Sequence, residues 1–216
     1  MTWTAHAVLL LLVLAPATGS LAGPGETSTL DVLQIVVVDR ELLAIDGESG
    51  HELALRLELG EQVVVHRSHG RVGVVVTDRR MLAVAVSSGS WQRLRFRHGE
   101  KLLEEPLLGE RVALLLTNRR AIGFDGGSRN LVESDLGPRE KPLIRAVGAN
   151  VAIVATNRRV LGLSPFRGGF FEKSLRLQEE LEQAVATGNL ATLTTSRRLL
   201  TFKAGSGSWS ERNRGL

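Results

Sequence analysis

Five arginines recur at nearly equal intervals: Arg40, Arg79, Arg119, Arg158 and Arg197. The steps are 79−40 = 39, 119−79 = 40, 158−119 = 39 and 197−158 = 39. A guanidinium is a planar fork of donors that matches carboxylate, sulfate and phosphate. Five of them at one level of a repeated structure would form a ring able to receive an anion. The same side chains could instead serve the fold. Each would then pair with the acid of its own turn (Asp39 or Asp78), with a backbone carbonyl, or with a carboxylate of the neighbouring unit.

A second candidate set is aromatic. Trp91, Phe170 and Trp209 fall on one repeated position, where a ring could stack on a sugar. Glu52 and Leu131 fill the same slot in the other copies, which fits a packing role better than a shared sugar site.

Other chemistry finds little support. The chain has no Cys, so thiol nucleophiles, disulfides and thiolate zinc sites are excluded. His66 and His69 are three apart on a strand-like run and point to opposite sides. There is no Gly-x-Ser-x-Gly elbow, phosphate loop or calcium loop. No cofactor is expected, and the protein reads as a non-enzyme. The alternative is a glycosidase-like hydrolase, with carboxylates such as Asp46, Asp125 and Asp135 converging at one end.

The arginines belong to a longer repeat. Thr77-Asp78-Arg79-Arg80, Thr117-Asn118-Arg119-Arg120, Thr156-Asn157-Arg158-Arg159 and Thr195-Ser196-Arg197-Arg198 are four copies, and Val38-Asp39-Arg40-Glu41 is a weaker first one. A fixed period of this length marks a repeat architecture. Each copy reads as a four-stranded meander. In the second, the expected strands are 71–77, 80–86, 91–96 and 101–108, with the motif as the first hairpin turn. Gly50, Gly89, Gly168 and Gly207 precede the third strand, where a tight turn needs positive φ. Gly60, Gly99 and Gly137 mark the following turn. In the fourth copy, 178–185 could form a helical turn instead. After the motif, large residues (Leu43, Leu82, Ile122, Leu161, Leu200) alternate with small ones (Ala44, Ala83, Gly123, Gly162). Neither face is polar, so these strands are expected to lie between two other sheets. Together these features predict an all-β fold, a five-bladed β-propeller of 39–40-residue repeats over 31–216.

Ile35 to Leu53, with Asp46-Gly47 and Gly50 at its turns, resembles a blade of the PQQ-type propeller repeats, and Trp91 and Trp209 stand near the tryptophan of those repeats. The resemblance implies blade architecture. It does not extend to a quinone site, whose Cys pair is absent here.

Residues 1–25 carry no Lys, Arg, Asp or Glu, and 7–15 (AVLLLLVLA) has the length of a signal-peptide core. Residues 1–22 are therefore expected to be a cleaved signal peptide, giving a secreted or periplasmic protein. Residues 23–30 would be a linker or a strand that closes the ring. The formal charge is +4 and the pI about 10.3. Basic residues are spread through every repeat and aromatics are few, so nucleic acid is not an expected partner. Acidic glycan, lipid headgroups or an envelope protein are, and the expected state is a monomer. The second alternative function is a structural part of an envelope complex.

Overall fold

The computed structural model describes residues 31–86 and 88–215, so the expected leader and residues 23–30 lie outside the described residues. Within them the chain is strand after strand with short connections. Sheet 1 has β1 (Leu33–Val38), β2 (Glu41–Asp46) and β3 (Glu52–Arg56). Sheet 2 has β4 (Val63–His69), β5 (Val72–Thr77), β6 (Arg80–Ala85) and β7 (Gln92–Arg95). Sheet 3 has β8 (Leu102–Leu108), β9 (Val112–Thr117), β10 (Arg120–Asp125) and β11 (Asn130–Asp135). Sheet 4 has β12 (Pro142–Gly148), β13 (Val151–Thr156), β14 (Arg159–Ser164) and β15 (Gly169–Ser174). Sheet 5 has β16 (Leu181–Thr187), β17 (Leu190–Thr195), β18 (Arg198–Lys203) and β19 (Ser208–Asn213). Every pairing is between antiparallel sequence neighbours. These are the blades of an all-β propeller fold.

The phase of the repeat differs from the sequence expectation. The strand at 101–108 was expected to complete the sheet begun at 71–77. Instead β8 pairs with β9 and opens sheet 3. The reason is connection length. Gly109 to Arg111 is a tight reversal, whereas 96–101 is longer and carries the chain to the next sheet. Among the described residues the sheet with three strands is the first. The helical turn considered for 178–185 is not formed, because that segment enters β16.

The central strands read as continuous apolar runs, and β5, β6, β9, β10 and β13 are buried at every position. Four hydrophobic clusters result, one at each interface from sheets 1–2 to sheets 4–5. Small residues set the spacing. A Cβ on Gly162 would lie 2.7 Å from the Phe202 ring, and one on Gly123 would lie 2.7 Å from Leu163. A backbone series runs the same way. Val32 N–H donates to Gly70 O, Arg71 to Glu110 O, Arg111 to Ala149 O and Asn150 to Gly188 O.

Among the described residues no hydrophobic cluster joins sheet 5 to sheet 1. Their outward faces show it. Burial in β2, β17 and β18 alternates along the strand, as expected of a sheet covered on one side.

Candidate functional site

The four-residue motif turns join the second and third strands of sheets 2–5, on the same end of the molecule as the links between sheets. Each motif position has its own task. The Thr hydroxyl accepts the backbone N–H groups of the third and fourth positions, as in Thr77 with Arg79 and Arg80. The second residue holds the link: the Gln62, Lys101, Lys141 and Glu180 N–H groups donate to Asp78, Asn118, Asn157 and Ser196 at 2.8–3.1 Å.

The fourth position is a lock. Arg80, Arg120, Arg159 and Arg198 each reach a glutamate on the preceding link: Glu61, Glu100, Glu140 and Glu179, with Nε–Oε1 distances of 2.7–2.9 Å. The motif Thr donates to the same carboxylate at 2.7–2.9 Å. The other oxygen accepts a backbone N–H three residues earlier, as with Glu58 and Glu61 at 2.8 Å. Three of the arginines also donate to a carbonyl of the preceding sheet or its end: Arg95, Asp135 and Ser174. They pair as well with Glu133, Glu172 or Glu211 on the outer strand of their own sheet. One side chain thus ties a link, its own sheet and the sheet before it. Arg80, whose sheet lacks the outer-strand acid, turns to Glu58 at 3.5 Å.

Burial opposes ionisation of Glu61 and Glu179. Hydrogen bonds from the arginine, the backbone N–H and the threonine outweigh it and hold both carboxyls at about 2. Glu100 and Glu140 are lowered by the same balance. The arginines are raised correspondingly.

The third position, the candidate anion ring, is not uniform. Arg40 donates to the Leu57 carbonyl at 2.9 Å. Arg79 stands 3.6 Å from Glu58 and 3.8 Å from Asp78. Arg119, Arg158 and Arg197 are exposed, with no carboxylate in ion-pair range among the described residues. The acids near Arg79 are replaced in later copies. Asp78 becomes Asn118, Asn157 and Ser196, and Glu58 becomes Arg97, Gly137 and Arg176. Arg119 lines an open cleft of about 470 Å³ with Arg97, Asn118, Asp135 and Arg139. Arg97 is paired to Asp135 at 2.7 Å, which leaves Arg119 and Arg139 as the cleft's cations with no ion pair among the described residues. Arg139 has φ +63°, in the turn position that Gly60 and Gly99 fill in earlier links.

The other candidates lie elsewhere. Trp91 is buried between sheets 1 and 2, and its indole donates to Leu53 O at 3.1 Å. Trp209 packs 4.9 Å from the Phe202 ring and donates to Phe171 O at 2.9 Å. Phe170 packs into the core between sheets 3 and 4. The carboxylates of the hydrolase alternative do not converge. Asp46 and Asp125 hold their own turns through Ser49 and Ser128, and Asp135 pairs with Arg97. The Ser49 and Glu48 hydrogen bonds lower the Asp46 pKa.

The lock glutamates are absent from the sequence expectation, although their steps, 100−61 = 39, 140−100 = 40 and 179−140 = 39, repeat like those of the arginines. Glycine marks this turn in the earlier links, at Gly60 and Gly99. It fails in the later links, where Arg139 and Gln178 adopt positive φ in its place.

No protein-family model matches the chain, and no curated protein matches it. Solved structures do. Human WBSCR16 is similar at 12% identity and a TM-score of 0.42, over 82% of this chain and 58% of that one. Yeast RCC1 is similar at 10% identity and a TM-score of 0.39, over 78% and 55%. The WD40 domain of Neurospora crassa Pan2 is similar at 12% identity and a TM-score of 0.34, over 86% and 63%. The chain therefore spans somewhat more than half the length of these proteins.

Proposed function

We propose that this protein is a non-catalytic interaction module that holds an acidic glycan on the loop end of sheets 3–5. One observation carries the reading. Three of the four motif positions have a task in the fold, and the remaining one is an exposed arginine without a carboxylate at Arg119, Arg158 and Arg197. A polymer with acidic groups along its length would meet these cations in succession, with Arg139 beside the first. The shallow end face and the short, blade-equivalent loops suit a chain laid across the surface better than a small molecule enclosed by it.

Retention of the protein on a sulfated polysaccharide column tests this. Salt should elute the parent protein late, because each cation that meets an anionic group adds to the salt dependence. The triple variant R119A/R158A/R197A should elute markedly earlier, while R79A, whose guanidinium is already near two acids, should shift little. Equal retention of the triple variant and the parent would exclude this face as the binding surface.

A further inference from the structure

The two end sheets are not alike. In sheets 2–4 the positions facing the next sheet are apolar, as in Val72, Val74, Val76 and Met81. Their counterparts on the outward face of sheet 5 are Leu190, Thr192, Thr194 and Leu199, followed by Thr201 and Lys203. This is a β face made for water, as the terminal unit of a repeat array requires. Sheet 1 is converted only at its ends, with Gln34 where sheet 2 has Gly73 and Glu52 where it has Trp91, and its centre stays apolar. The positions that face the preceding sheet in sheet 2 are Val75, Leu82 and Val84, all buried. Their counterparts in sheet 1 are Val36, Leu43 and Ile45, and Ala54 and Val38 extend the same face. Val38 is 50% exposed, and no described sheet covers the patch.

Sheet 1 also lacks the lock. Val38 and Glu41 stand where sheets 2–5 have the threonine and the fourth-position arginine. A covering sheet would therefore not arrive through the regular locked link. Sheet 5 offers a threonine-rich surface, a poor counterpart for the apolar patch.

We infer that the outward face of sheet 1 packs on the same face of a second copy, forming a two-fold dimer. The charges choose this occupant. Glu52 and Arg56 lie on this face at opposite ends of β3, with Glu41 across from Arg56. None of the three has an ion-pair partner among the described residues. A two-fold axis that reverses the strands brings Arg56 of each copy over Glu52 of the other, around a centre of Val36, Leu43 and Ala54. Sheets stacked face to face pack about 10 Å apart. The face is about 20 Å by about 15 Å from strand dimensions. Two such faces bury roughly 600 Å² in all, below the usual size of specific interfaces, so the dimer is a weak one with dissociation expected at roughly 100 μM or above.

Sedimentation velocity of the full chain over a concentration series tests the inference. The expected result is a monomer–dimer equilibrium that Leu43→Lys abolishes. Glu52→Arg or Arg56→Glu alone should raise the dissociation constant about tenfold, and the swap E52R/R56E should restore it. The swap guards against a variant that merely fails to fold. Thr192→Lys on sheet 5 should change nothing. A chain that stays monomeric throughout, as it would if its own amino-terminal segment covered the patch, overturns the inference. So does a dimer that survives L43K, a swap that does not restore association, or an assembly disrupted by T192K.

Discussion

A glutamate that accepts hydrogen bonds from arginine, threonine and backbone at once is held ionised far into acid. Glu61 and Glu179 sit at about 2 against an ordinary 4.5, and Glu100 and Glu140 are shifted the same way. A lowered folded-state pKa gives stability that is complete above the unfolded value and lost as pH falls through the folded one. Urea midpoints should therefore be level at neutral pH and drop between about 4.5 and about 2. Removing one partner of a buried pair costs about 3–5 kcal/mol. Glu179→Gln should show a loss of that size at neutral pH, and Arg119→Ala should stay within about 0.5 kcal/mol of the parent. An unchanged midpoint in E179Q would refute the lock. Part of this was legible beforehand. The repeated Thr-x-Arg-Arg announced itself, and pairing across units was one of its two readings. The division of labour between neighbouring arginines was not legible, because it depends on which way each side chain leaves the turn. Arg119 and Arg120 are adjacent and identical in type, yet one is exposed and the other almost wholly enclosed.

At the scale of elements, hairpins and strand faces were legible because they are local. Alternation gave the faces, and glycine gave most of the turns: Gly50, Gly168 and Gly207 have positive φ, and Arg129 adopts it in their place. Which strand opens a sheet was not legible. Both connections of β8 look like turns in sequence, and only their relative length decides between them. Sheet spacing rests on small residues under large ones. Gly162→Ala would set a methyl 2.7 Å from the Phe202 ring. Overpacking of this kind costs about 1–3 kcal/mol. Gly169→Ala, where no atom lies within 4 Å of the added Cβ, is the control and should be neutral. Equal thermal midpoints for the two variants would show that the sheets part more readily than this packing implies.

Among the described residues, the whole molecule follows from a relation that each repeat has with its neighbours. Locks, backbone bonds and hydrophobic clusters all act between consecutive sheets. Among the described residues of a single copy, sheets 2, 3 and 4 are held from both sides, and sheets 1 and 5 from one. Opening in such an array starts at the ends and proceeds inward. At concentrations where the chain is monomeric, amide hydrogens of β9, β10 and β13 should accordingly exchange with deuterium slowest, and those of β2 and β18 earlier. Uniform protection across the five sheets would mean that the chain opens as one unit. If the gradient holds, the arginine lock is also a ratchet of local lifetimes. It keeps the middle blades closed while a terminal blade breathes, and the cations of Arg119 and Arg158 ride on the most persistent part of the structure while Arg197 rides on one of the least.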